Sequence, residues 1–159
     1  MTRNKILIIV MGFMLMFAYG CLDKAFEPVT DSLEDNYTRW KSLGISDYSI
    51  VQSQLCFCVY GGSKMIINVR NNKIVSIQDS AGAIQIPQEQ WQWFKTIDQL
   101  FETAISAKNG KPNSFSVEFD KEYGFPNYFW VDPIAQAADE EYGYSTTGFR
   151  VLNIESETK

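Results

Sequence analysis

The sequence predicts an α+β fold: a single domain with a mainly antiparallel β-sheet of about six strands and two helices packed on it. Three observations carry that expectation. Apolar spacing switches between helical and alternating periods in the order helix, three strands, helix, three strands. The strands within each run are joined by short turn signals rather than crossover helices, which argues for antiparallel pairing. Aromatic residues make up 14% of the chain, a content that suits a packed β-rich domain and argues against disorder.

The first helix is expected from about Ser32 to Leu43, with Leu33, Tyr37 and Trp40 at i, i+4 and i+7. Asp31 or Ser32 can cap its start and Gly44 can end it. From Asp47 to Tyr60 the chain reads as a strand, since Tyr48, Ile50, Val51, Leu55, Phe57, Val59 and Tyr60 all favour extended backbone. Gly61-Gly62 permits a turn. Lys64 to Arg70 follows as a strand with Met65, Ile67 and Val69 on one face. Asn71-Asn72 tolerates the positive φ of a type I′ turn, and Lys73 to Asp79 returns as a hairpin. Ser80 to Lys95 lacks periodicity. Thr96 to Gln99 forms a capping box, and Leu100, Phe101, Ala104 and Ile105 give the second helix an apolar face that ends at Asn109-Gly110. Ser114 to Asp120, Tyr128 to Asp132 and Phe149 to Ile154 complete the strands.

Before this domain lies a segment of another kind. Arg3 and Lys5 precede fifteen uncharged residues, Ile6 to Gly20, followed by Cys21. That run is shorter than the ~20 residues a helix needs to span a bilayer core, so it reads as a secretory signal. With Gly20 directly before the cysteine, Ala18-Tyr19-Gly20-Cys21 resembles a bacterial lipoprotein signal, although Ala18 stands where Leu is usual and Tyr19 is bulky. The resemblance implies cleavage before Cys21 and acylation of its thiol, through palmitate-class chains, with membrane attachment by that lipid. Leu22 rather than Asp after the cysteine points to the periplasmic face of the outer membrane in a two-membrane envelope. The expected organisation is therefore a signal peptide over 1–20, a lipidated N-terminus and tether over 21–30, and one α+β domain over 31–159.

Composition narrows the function classes. Loss of residues 1–20 removes two basic and no acidic residues, which takes the net charge from −5 to −7. An acidic chain without a basic cluster argues against nucleic acid as a partner, and leaves an envelope protein as the expected macromolecular one. The chain contains no histidine, which excludes Ser-His-Asp and Cys-His catalysis and histidine-ligated zinc within it. No catalytic set, metal site or cofactor is expected.

Several motifs occur in a fixed order: Cys56 and Cys58 as C-x-C, a helix opening Thr96-Ile97-Asp98 with Leu100 and Phe101, and Tyr123-Gly124-Phe125-Pro126 ahead of a strand ending at Asp132, trailed by Asp139-Glu140. In these the chain resembles a family of uncharacterised bacterial lipoproteins, a domain of unknown function, over about residues 36–154. The resemblance implies fold and location. It supplies no catalytic residue.

Three groups of side chains are candidates for chemistry. Cys56 and Cys58 form an even pair in an oxidising compartment, so a disulfide is the default reading. Alternate Cα atoms of a regular strand lie about 6.6–6.8 Å apart, at the upper limit for a disulfide, so a bridge would need a bend or bulge. It would be strained and more easily reduced than a structural bridge, and its small ring would stabilise little. A thiol-redox pair, soft-metal thiolates aided by Met65, and two separate buried cysteines remain as alternatives. The second group, Asp120, Glu122, Asp132, Asp139, Glu140 and Glu141, would suit calcium or a hydrolytic carboxylate pair, with solvated surface charge as the plainer account. Asp98 at the start of its helix is accounted for by the helix dipole. In the third group, Trp91, Trp93, Tyr123, Phe125 and Trp130, with Tyr128, would line an aromatic ligand groove or else belong to the core.

Overall fold

The computed structural model describes residues 30–137 and 139–152, so the expected signal peptide and most of the tether, Cys21 included, lie outside the described residues. Helix α1 (Leu33–Ser42) begins where the Ser32 hydroxyl accepts the Asp35 N–H, and Gly44 follows it with a φ of 65°. Strands β1 (Tyr48–Gln54), β2 (Lys64–Arg70) and β3 (Lys73–Asp79) form the first meander. Its tight turn carries φ values of 48° and 60° at Asn71 and Asn72, the left-handed pair that asparagine tolerates. The Asp47 carboxylate accepts the Asn71 N–H at 2.7 Å, and that bond leads the causes holding its pKa below the ordinary value. A 3₁₀ segment, Gln88–Trp93, leads into α2 (Ile97–Asn109), which opens on the reciprocal Thr96–Gln99 capping box. Strands β4 (Ser114–Phe119), β5 (Pro126–Asp132) and β6 (Tyr142–Val151) form the second meander.

The six strands make one sheet in the order β3-β2-β1-β6-β5-β4, antiparallel throughout. The first strand of one meander pairs with the last strand of the other. Alternation sends Tyr48, Ile50, Ile67, Val69, Ile77, Phe129 and Val131 to one face, where they pack against Leu33, Trp40, Ile97, Leu100, Phe101 and Ala104 of the helices. Each large apolar side chain buried there contributes about 1.5–3 kcal/mol. Asp98 does more than favour its own helix dipole: it accepts Trp40 Nε1 at 2.7 Å and Lys41 Nζ at 2.6 Å, and so joins α2 to α1. The Tyr48 hydroxyl accepts the Ile97 N–H at 2.8 Å, tying the sheet to the start of α2.

Strand β5 starts two residues earlier than expected, at Pro126, and two other boundaries differ by more. The last strand begins at Tyr142 rather than Phe149, because Tyr142, Tyr144 and Thr146 alternate inward even though glycine, serine and threonine dilute the apolar signal. Gly143 is required in that strand, since a Cβ there would lie 2.1 Å from the Phe129 carbonyl oxygen. The strand expected to run from Asp47 to Tyr60 stops at Gln54, which changes the setting of both cysteines.

Candidate functional site: the cysteine loop at one end of the sheet

Past Gln54 the backbone leaves the sheet, and Cys56, Phe57 and Cys58 form a bend that connects β1 to β2. The bend brings the two cysteine Cα atoms to 5.3 Å, inside the range for a disulfide, and the sulfurs are joined at 1.99 Å. Main-chain hydrogen bonds fix the loop independently of the sulfurs: Leu55 N to Gly143 O at 2.9 Å, Gly61 N to Cys58 O at 3.0 Å and Gly62 N to Gln54 O at 2.8 Å. Gly61 cannot be replaced without moving the backbone, since a Cβ there would sit 2.3 Å from the Cys56 carbonyl oxygen. Tyr60 anchors the far side of the loop, with its ring 5.3 Å from that of Phe94 and its hydroxyl donating to the Gln90 side-chain oxygen.

The side chains of this loop divide between water and protein. Phe57 and Val59 are 88% and 90% exposed, whereas the core aromatics at the opposite end of the sheet are buried. Cys58 is exposed and Cys56 half-buried. Beneath them Gln54 is 5% exposed, and its Nε2 donates to the Trp93 carbonyl at 2.9 Å. That bond turns Oε1 toward the sulfurs, 3.3 Å from Cys58 Sγ and 3.8 Å from Cys56 Sγ. Tyr144 also donates to the Trp93 carbonyl, at 3.2 Å, and burial pushes its own pKa up to about 12. Beside the loop a cavity of about 650 Å³ is lined by Val59, Tyr60, Met65, Ile84, Ile86 and Gln90 among others. Met65, the soft ligand considered alongside the cysteines, is a core residue of β2.

The five aromatic groove candidates fall in three places. Trp91 and Trp93 lie on the 3₁₀ segment, where Trp91 Nε1 donates to the Ile86 carbonyl and Trp93 is 53% exposed. Tyr123 and Phe125 sit at the other end of the sheet against Phe149, with ring centroids at 4.6 and 5.2 Å. Trp130 alternates with the buried Phe129 and Val131, and so faces away from the helices. Sheet geometry separates these residues instead of gathering them into one groove. The acidic candidates are dispersed too. Asp120 caps its own turn by accepting the Glu122 and Tyr123 N–H groups, Asp132 accepts from Asn113, and Asp139 and Glu140 are exposed. Among the described residues no group of three His, Cys, Asp or Glu side chains is placed to hold a metal ion.

Gln54, Phe57 and Val59 were not singled out by the sequence as site residues. One signal was available for the loop: a C-x-C bridge demands a bend or bulge, and Gly61-Gly62 permits the chain to turn back, so a bridged pair marks a departure from regular strand near Cys56 without fixing where β1 ends.

The fold and loop define an open antiparallel α+β sheet, helices on one face, with a cysteine-bridged bend at one end. Over residues 32–151 the chain matches a family described as "Family of unknown function (DUF6174)", and it belongs to that family. No curated protein and no solved structure matches it.

Proposed function

We propose that this chain is a lipid-anchored domain of the bacterial cell envelope, held through Cys21, that binds an envelope protein rather than carrying out catalysis. The observation that carries the binding part is the pair Phe57 and Val59, 88% and 90% exposed on a loop that backbone hydrogen bonds hold in one shape. A rigid apolar projection loses little conformational entropy when it enters a partner's pocket, which is how interface anchors gain affinity. The anchoring part rests on Arg3, Lys5, the uncharged run to Gly20, and Cys21. The test is intact mass and fractionation of the full chain, beside Cys21→Ser and a Phe57→Ser/Val59→Ser double variant. Expected are an acylated mature protein in membranes, loss of acylation for Cys21→Ser, and loss of co-purifying envelope protein only for the loop variant. An unacylated, uncleaved wild-type chain would end the anchoring reading, and unchanged co-purification by the loop variant would end the binding reading.

A second reading, favoured by the exposure of Cys58, is that the loop is a thiol-redox site. It predicts that replacing both cysteines by serine abolishes function, whereas under the binding reading the same change only lowers stability.

A further inference from the structure

We propose that Cys56–Cys58 is a thiol–disulfide exchange centre for a protein dithiol, that Cys58 is the sulfur attacked, and that Gln54 holds the reduced pair. This rests on the second reading above. Three observations converge on it. Cys58 is the more exposed residue of the pair, with Cys56 half-buried, and on that ground Cys58 is assigned as the one an incoming thiolate on a macromolecule approaches first. Phe57 and Val59 flank that sulfur in the sequence and are exposed, which gives a dithiol protein an apolar surface to rest on while exchange proceeds. Gln54 is buried with Oε1 aimed at the sulfurs, although bridged sulfurs carry no hydrogen for it to accept.

The last point gives the site a direction. The amide cannot turn over, because Nε2 must face the Trp93 carbonyl it donates to. In the bridged state Oε1 therefore faces two sulfurs that cannot donate. In the reduced state either thiol can donate an S–H hydrogen bond to it. An acceptor served only after reduction favours the dithiol over the disulfide. The backbone hydrogen bonds of the loop do not depend on the bridge, so the two thiols stay near each other and the bridge can re-form.

The chemistry balances in two steps. A thiolate of the partner attacks Cys58 Sγ, the bond to Cys56 breaks, and Cys56 leaves as a thiolate that takes up a proton. The partner's second thiolate then attacks the partner sulfur of the mixed disulfide, closing the partner's own disulfide and releasing Cys58, which is protonated in turn. Two electrons pass from the partner's dithiol to Cys56–Cys58.

The experiment uses the folded chain, dithiothreitol as the dithiol probe and glutathione disulfide as the disulfide probe. Cys56→Ser, which leaves Cys58 free, is expected to form the glutathione mixed disulfide at least tenfold faster than Cys58→Ser. Gln54→Leu is expected to shift the equilibrium with dithiothreitol at least threefold toward the disulfide, a readout that loss of stability alone does not move. Gln54→Met keeps the volume without the acceptor and serves if the leucine variant does not fold. Equal or reversed rates for the two cysteine variants overturn the role of Cys58. An unshifted equilibrium in both Gln54 variants overturns the role of Gln54. If the native wild type does not exchange with dithiothreitol while the unfolded chain does, the redox reading itself fails.

Discussion

The β1–β2 and β4–β5 connections occupy the same place in the two meanders and have opposite fates. Because β4 runs opposite to β1 across the antiparallel ladder, the two loops lie at opposite ends of the sheet. The β4–β5 turn is folded inward: Phe125 is 1% exposed, its ring and that of Tyr123 meet Phe149, and Asp120 caps the backbone. The β1–β2 loop is also fixed by hydrogen bonds, yet it projects Phe57 and Val59 into water. Both are apolar and both are ordered, so hydrophobicity alone does not decide burial. What decides is whether an opposing surface exists. α1 and the end of β6 supply one for Phe125 through Trp40 and Phe149, with centroids at 6.1 and 5.2 Å. Among the described residues none gives Phe57 such cover, and that is the feature expected of a loop used between molecules.

The largest test of this contrast is stability. Phe125→Ala is expected to cost about 3–5 kcal/mol by leaving a cavity between the Trp40 and Phe149 rings. Phe57→Ala is expected to change stability by about 0.5 kcal/mol or less. Urea unfolding midpoints of the two variants check both values, and comparable losses would mean that the cysteine loop folds back onto the protein.

Alkaline titration separates the same two ends by chemistry. Tyr48, beside Trp40 and Phe149, and Tyr144, below the cysteine loop, both have pKa values raised chiefly by burial, Tyr144 to about 12. The unfolded chain releases these protons near pH 10. Their contribution to stability is therefore complete below pH 10 and is lost as pH rises toward and beyond the folded values. Tyr144→Phe should remove only its share of that loss, leaving the part due to Tyr48 and to Tyr37 and Tyr123, whose values are also raised, as read from unfolding midpoints between pH 9 and about pH 12.

Much of this architecture was legible in the residues. Asn71-Asn72 can take two consecutive positive φ values, and the Thr96–Gln99 pair can satisfy orphan N–H groups at a helix start, so hairpin and helix were fixed by local chemistry. The end of β1 was not, because Leu55, Phe57 and Val59 have the same β-propensity whether or not a neighbouring strand is there to pair with them. Which aromatics share a surface was equally hidden. Trp130 and Phe125 belong to one stretch of chain, but sheet alternation turns Trp130 to one face while the turn carries Phe125 to the other. The role of Gln54 could not be read at all, since it depends on Trp93, thirty-nine residues away.

Reduction of the bridge should have a smaller effect on folding. Closing so short a ring restricts the unfolded chain little, and loop-closure entropy gives under about 2 kcal/mol. The loop's own hydrogen bonds run between main-chain groups and involve neither sulfur, so reduction is not expected to remove them. Denaturant unfolding with and without reductant is expected to show a modest shift in midpoint with unchanged cooperativity, and loss of cooperativity would show that the bridge organises the sheet.

The smallest expected effect is the most informative. Phe57→Ser with Val59→Ser replaces two side chains that are 88% and 90% exposed, so little apolar area returns to water on unfolding. The thermal midpoint should stay within the few degrees that about 0.5 kcal/mol corresponds to in a domain of this size. Any loss of partner binding by that variant then has to come from the surface it presents rather than from its fold. Phe125→Ala cannot provide that separation, since a destabilised closed end would weaken every property together. A marked fall in the midpoint of the double serine variant would instead mean that Phe57 and Val59 are covered in solution, and the two ends of the sheet would no longer differ.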